Sequence, residues 1–183
     1  MQPRKKVVAI SGMPGAGKGI ASEAAKQLGL EVLVLGDVIR EETQRRGLEP
    51  SPANVGSVML QIRREEGPAA VARRLLPKIE NQHGNIVIVE GVRSNYELDE
   101  LKSKFDVVTL AIHASPKIRY QRLLARGRSD DPKTREVFNE RDIRELDVGV
   151  CQVIALADTL VINEGTIEEL QSRLRSILTK LKA

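Results

Sequence analysis

The apolar run Val7-Val8-Ala9-Ile10 passes directly into Ser11-Gly12-Met13-Pro14-Gly15-Ala16-Gly17-Lys18-Gly19-Ile20, a glycine loop with the spacing Gly12-x4-Gly17-Lys18. Apolar residues then recur at Ile20, Ala24 and Leu28, four apart, as on one face of a helix. A buried strand that enters a helix through a tight loop is the opening of a βα unit in a parallel sheet, which excludes most other folds. The loop also carries its own chemistry. Successive backbone N–H groups turn inward, Lys18 aims a point charge at β and γ phosphates, and the helix adds its positive end. Gly12, Met13, Pro14, Gly15, Ala16, Gly17, Lys18, Gly19 and Ile20 are therefore the candidate nucleotide-binding residues. Gly19 stands where a Ser or Thr normally gives a hydroxyl to the metal.

Five short, continuous apolar runs predict buried parallel strands at 6–10, 31–35, 85–89, 106–112 and 159–162. Helical patterns separate them. The last carries Ile167, Leu170, Leu174, Ile177, Leu178 and Leu181 on one stripe and opens with the capping box Thr166-x-x-Glu169; Ser94-x-x-Glu97 opens another. Ser51-Pro52, Ser115-Pro116 and Asp131-Pro132 pair an N-cap residue with Pro and predict helix starts near 52, 116 and 132. The alternation predicts a three-layer α/β/α architecture around a five-stranded parallel sheet, the P-loop NTPase fold class, with its ligand crevice beyond the carboxyl ends of the strands. At 183 residues the chain is expected to form one domain, 1–183. Residues 36–84 are longer than one crossover helix requires and carry two further stripes, Val55/Val58/Met59/Ile62 and Val71/Leu75/Ile79, so a helical insert beside the nucleotide is expected there to hold a second ligand.

The single cysteine, Cys151, rules out an intramolecular disulfide and reads as a small buried side chain in a reducing compartment. No apolar run is long enough to cross a bilayer and no signal peptide precedes the first strand, so a cytoplasmic protein without membrane contact is expected. The net charge of +4 invites nucleic acid, but two Tyr and two Phe leave little for base stacking, which makes nucleic acid an improbable partner.

The third apolar run ends in Ile86-Val87-Ile88-Val89-Glu90-Gly91-Val92-Arg93, so Glu90 emerges at the crevice as a candidate carboxylate for the water shell of Mg²⁺. The second ends in Gly36-Asp37-Val38-Ile39-Arg40. Asp37 reads as an N-cap, whereas Arg40 opposes the helix dipole and is explained by a nearby anion. Arg122 and Arg126 lie one helical turn apart, followed by Arg128, Asp130 and Asp131, and the next helix carries Arg141 and Arg144. The bland alternative is a solvated basic face neutralised by Glu136, Glu140 and Glu145, against which the position of the window argues. The arginine window follows the fourth strand and is therefore expected to close over the loop as a short lid, about 119–131, neutralising a transferring phosphoryl group. One of Arg63, Arg64, Arg73 and Arg74 in the insert is expected to touch an acceptor. His83 and His113 lie apart from other metal-ligand residues.

Gly12-Met13-Pro14-Gly15-Ala16-Gly17-Lys18-Gly19, Gly36-Asp37-Val38-Ile39-Arg40, Glu90-Gly91-Val92-Arg93-Ser94 and the run from Arg122 to Asp131 resemble, in order, the motifs of adenylate kinase and related nucleoside monophosphate kinases. The similarity spans nearly the whole chain and is strongest to an archaeal-looking, uncharacterised group of adenylate-kinase-related proteins also labelled dephospho-CoA-kinase-like. The resemblance implies ATP and Mg²⁺ as cofactors, Asp37, Arg40 and Arg93 as acceptor-binding residues, and Lys18, Arg93, Arg122, Arg126 and Arg128 as catalytic residues. It also marks a departure, because Ile20 replaces the family's Thr.

Two functions compete. One is an ATP-dependent phosphotransferase acting on AMP, another nucleoside monophosphate or dephospho-CoA. The other is a regulator that binds AMP or ATP with little turnover, motivated by Gly19 and Ile20. A nucleic-acid-binding NTPase is disfavoured by the scarcity of aromatics, and a GTPase by the lack of an Asn-Lys-x-Asp signature. The oligomeric state is not legible.

Overall fold

The computed structural model describes residues 4–129 and 131–182. Five strands, β1 (Lys6–Ser11), β2 (Glu31–Val34), β3 (Ile86–Val92), β4 (Asp106–His113) and β5 (Thr159–Ile162), form one parallel sheet in the order β2-β3-β1-β4-β5. The helices are α1 (Lys18–Gln27), α2 (Leu35–Arg45), α3 (Pro52–Glu66), α4 (Ala70–Glu80), α5 (Asn95–Lys104), α6 (Pro116–Arg126), α7 (Arg135–Val148), α8 (Val150–Ala155) and α9 (Ile167–Lys182).

The architecture is α/β/α, and β1 shows why its strand reads as an unbroken apolar run. Val7 and Ala9 point into a core shared with α2, α3, α4 and α5, while Val8 and Ile10 point into a second core with α1 and α9. Both faces of the strand are dry, so no position alternates to polar. Leu170, Leu174 and Leu178 of α9 close the second core, while Ile167 on the predicted stripe is exposed. The capping box at Thr166 forms in both directions: Glu169 N donates to the hydroxyl at 3.2 Å and Thr166 N to the Glu169 carboxylate at 3.1 Å.

Three local expectations are corrected. Leu35 belongs to α2, whose N-cap is Val34, so Asp37 sits inside the first turn and pairs with Arg40 instead of capping. Helix α7 starts at Arg135 behind Thr134, whose hydroxyl accepts from Val137 N at 3.4 Å; Asp131-Pro132 lies outside it. Cys151 is exposed in the first turn of α8.

The carboxyl end of β1 is where the site is built. Ile10 is in register with Glu90, but Ser11 with Val92, so Gly91 is an extra residue in β3. Its φ of +93° suits glycine. Ser11 Oγ donates to Val92 O at 2.7 Å and locks this bulge. A bulge re-aims the neighbouring side chain. Here the result is that Glu90 faces the crevice.

A candidate phosphate site between the loop and helix α3

Residues 12–17 turn back over the end of β1 before α1 begins at Lys18. Gly17 has φ +110°, and a Cβ there would lie 2.4 Å from the side-chain nitrogen of Asn163, which donates to Ala16 O at 2.8 Å. A second brace comes from Arg119 of α6, only 3% exposed. Its Nη1 donates to Pro14 O at 3.1 Å and to Asp142 Oδ1 at 2.8 Å, and its guanidinium lies 5.0 Å from the centre of the Phe138 ring. The loop is therefore held from outside by α6, α7 and the residue following β5. Lys18 Nζ donates to Gly12 O at 2.7 Å and Met13 O at 3.2 Å. Burial lowers its pKa to about 8, with Glu90 opposing the shift.

A cavity of about 290 Å³ opens over the loop. Pro14, Gly15, Gly17, Lys18, Gly19 and Ile20 line it, whereas Gly12, Met13 and Ala16 lie behind that wall. Among the described residues its charged lining consists of Lys18, Arg40, Arg93, Arg122, Arg126, Arg128 and Arg141 against one carboxylate, Glu90. Such an imbalance suits a polyanion. The hydroxyl of Ser22, one turn after Lys18, donates to Glu90 Oε2. Among the described residues no three His, Cys, Asp or Glu gather as a direct metal cage. A lone carboxylate with a supporting hydroxyl fits Mg²⁺ held largely through water.

A smaller cavity adjoins the first and shares Gly36, Arg40, Arg93 and Arg141 with it. Its far wall is Pro52, Val55, Gly56 and Met59 of α3, and Arg144 and Glu145 of α7 close it. Arg93 Nε donates to Glu145 Oε2 at 2.6 Å and Nη1 to Gly91 O at 3.3 Å. The Glu145 carboxylate, 5% exposed, holds the Arg93 pKa above its usual value. Burial works against the charge of Glu145 itself, but Arg93, Arg141 and Lys18 outweigh it and keep its pKa low. Glu145 is thus not a surface neutraliser, while Glu136 and Glu140 are exposed. Asp37 does not line either cavity; its carboxylate accepts from Arg40 Nε at 3.1 Å.

The arginines expected to form a lid are held by local partners. Arg122 Nη1 donates to Asn163 O at 3.1 Å, and Arg126 pairs with Asp131, which also accepts from Arg128 N at 3.0 Å and lies 3.6 Å from Arg141. Asp131, 4% exposed, is therefore a buried clasp rather than a cap. Asp130 lies outside the described residues. The four arginines from which an acceptor contact is expected do not reach either cavity: Arg63 pairs with Glu97, Arg73 with Glu100, and Arg74 with Glu42 and Glu66. Arg64 is absent from both walls too.

Sequence reasoning missed Ser22, Arg119, Asp142, Glu145 and Asn163. Ser22 was discoverable, because it falls four residues after Lys18 on the same helical face. Asn163 follows the apolar run of β5 and so falls at the crevice end of the sheet, which is a usable signal. The other three depend on α7, whose approach to the sheet has no local signature.

Comparison with known proteins bears on this arrangement. An AAA domain profile matches residues 11–139. A UPF0200 protein of Methanocaldococcus jannaschii is 45% identical over 177 residues, covering 96% of this chain and 90% of the relative. One of Pyrococcus abyssi is 42% identical over 180 residues, covering 96% of each. Among solved structures, TT1252 of Thermus thermophilus superposes with a TM-score of 0.61 at 19% identity, covering 97% of this chain and 98% of that one. A shikimate kinase of Bacteroides thetaiotaomicron superposes at 0.57 and 19% identity, covering 95% and 98%. At that identity the likeness concerns the fold, which is P-loop kinase-like. The chain belongs to the UPF0200 family and carries an AAA domain over residues 11–139.

Proposed function

We propose that this protein is an ATP-dependent phosphotransferase whose acceptor itself carries a phosphate, a nucleoside monophosphate such as AMP or a close chemical relative. The observation that carries this reading is the pair of adjoining cavities, one over the phosphate loop and one against α3, joined by Arg40, Arg93 and Arg141. Two phosphate-bearing ligands meeting end to end need their negative charge concentrated and neutralised at such a junction. Lys18 and the loop N–H groups hold the donor, Arg40 and Arg93 hold the acceptor phosphate, and Arg122, Arg126 and Arg128 neutralise the group in transfer. Residues 36–84 form the acceptor side and 119–131 a short lid, within one cytoplasmic domain. Glu90, supported by Ser22, would hold Mg²⁺ through its water shell, and the ion would supply positive charge that screens the donor phosphates.

A second reading, a binder of AMP or ATP with turnover near background, is favoured by Gly19, which has no side chain to offer a metal, and by Ile20 on the cavity wall. ³¹P NMR of the protein with Mg-ATP and a mixture of AMP, CMP, UMP and dephospho-CoA separates the two, with Lys18→Ala as control. A new product phosphate absent in the control supports transfer and names the acceptor. Retained ATP with bound nucleotide leaves the regulator.

A further inference from the structure

One turn of α7 places Arg141, Asp142, Arg144 and Glu145 against four different parts of the site. Asp142 binds Arg119, which holds Pro14 of the loop. Glu145 binds Arg93 at the cavity junction, Arg141 reaches Asp131 of the lid, and Arg144 lies over Gly56 of α3. We infer that Glu145 is a positioning residue that aims Arg93 at the acceptor phosphate, with Asp142 performing the parallel task for the donor loop through Arg119. The inference rests on the phosphotransfer reading above.

Arginine carries five N–H donors in a planar fork. Glu145 engages the Nε edge and Gly91 O touches Nη1, so the guanidinium plane is fixed from two sides. An untethered arginine side chain would have to give up rotamer freedom on binding, which weakens the complex. A tether made before the ligand arrives removes that cost from the binding step. Nothing in α7's surroundings requires a carboxylate for packing alone, since burying it works against its charge.

The sign of the effect separates this role from plain neutralisation. A carboxylate that merely offsets cationic charge repels an incoming phosphate, so removing it should tighten anion binding. A tether predicts the reverse, and predicts that an uncharged acceptor of the same length restores function. The experiment is calorimetric titration of Glu145→Ala, Glu145→Gln and Asp142→Ala with AMP as acceptor probe and the non-hydrolysable AMP-PNP as donor probe, each alone. Glu145→Ala should bind AMP about tenfold more weakly, Glu145→Gln should recover to within about threefold of the parent, and AMP-PNP should be unchanged in both. Asp142→Ala should show the crossed pattern, with AMP-PNP weakened and AMP retained. Tighter AMP binding by Glu145→Ala, or equal weakening of both ligands, would overturn the proposal. Should a variant fail to fold, ¹⁵N-arginine spectra of the parent protein answer instead: AMP should shift the Arg93 Nε–H resonance, identified by its loss in Arg93→Lys, and a resonance indifferent to AMP overturns the proposal. A parent protein that binds both probes while its variants behave identically defeats the tether alone; a parent that binds neither defeats the phosphotransfer reading itself.

Discussion

Lys18 offers the sharpest link between a structural quantity and a measurable one. Its pKa in the ligand-free protein is lowered to about 8 because the ammonium is buried. Donor phosphates placed beside it would hold the proton on, so binding and protonation are linked. At pH 7 about nine-tenths of the free protein carries the charged lysine, and at pH 9 about one-tenth. The affinity for AMP-PNP should therefore be nearly flat below pH 7.5 and fall about tenfold between pH 7 and 9, equal to about 1.4 kcal/mol. The second ionisation of a phosphate group, with a pKa near 6, adds negative charge as pH rises and so cannot itself weaken binding to a cationic site. The assay is calorimetric titration at constant ionic strength across pH 6.5–9.5. Lys18→Arg is the control, because a guanidinium keeps its charge throughout and its curve should be flat. An affinity independent of pH in the parent, or an identical slope in Lys18→Arg, would refute the assignment of Lys18 to the donor phosphates.

Other expectations concern stability and shape. Arg119→Met strands Asp142 beside the loop without its partner and should cost about 3–5 kcal/mol in chemical denaturation; the double change Arg119→Met with Asp142→Leu should recover most of it. Leu174→Ala opens a void in the α9 core and should cost about 2–5 kcal/mol, read as a drop in melting temperature with the nucleotide site intact. Glu42 is held at a pKa of about 2 chiefly by hydrogen bonds from Arg45 and Arg46. Since its folded pKa lies below the unfolded value, its contribution of about 1–3 kcal/mol is present above pH 4.5 and lost as pH falls through 2, and an acid melt of Glu42→Gln should lack that loss. Gly56→Ala sets a methyl 2.5 Å from Arg144 Nη1 and should shift AMP affinity while sparing AMP-PNP.

The fold was legible because its constraint is local and repeated. A strand buried on both faces favours a continuous apolar run, and the middles of β1 and β3 announce themselves so, while β4 admits the buried Thr109 by pairing its hydroxyl with Asp158. The glycine loop was legible for a similar reason: Gly17 is required by contact with Asn163, and the chain has no substitute for it. Boundaries were harder. Asp131-Pro132 has the residue types of a helix start, yet Arg126 and Arg141 draw that carboxylate into a buried clasp, and the helix begins behind Thr134.

The site divides along the same line. Glu90, Arg93 and Arg40 follow strand ends, and the rule that ligands lie beyond the carboxyl edge of a parallel sheet locates them from sequence. Asp142 and Glu145 lie in Arg141-Asp142-Ile143-Arg144-Glu145-Leu146, whose alternating charges are those of an exposed helix, and Ile143 and Leu146 are indeed exposed. The partners that pair with these carboxylates are distant in the chain, 23 residues away for Arg119 and 52 for Arg93. Charge on a helix becomes informative only when the opposing charge across the crevice is known, so the residues that line the crevice at strand ends are readable while the carboxylates that pair with arginines across it are not.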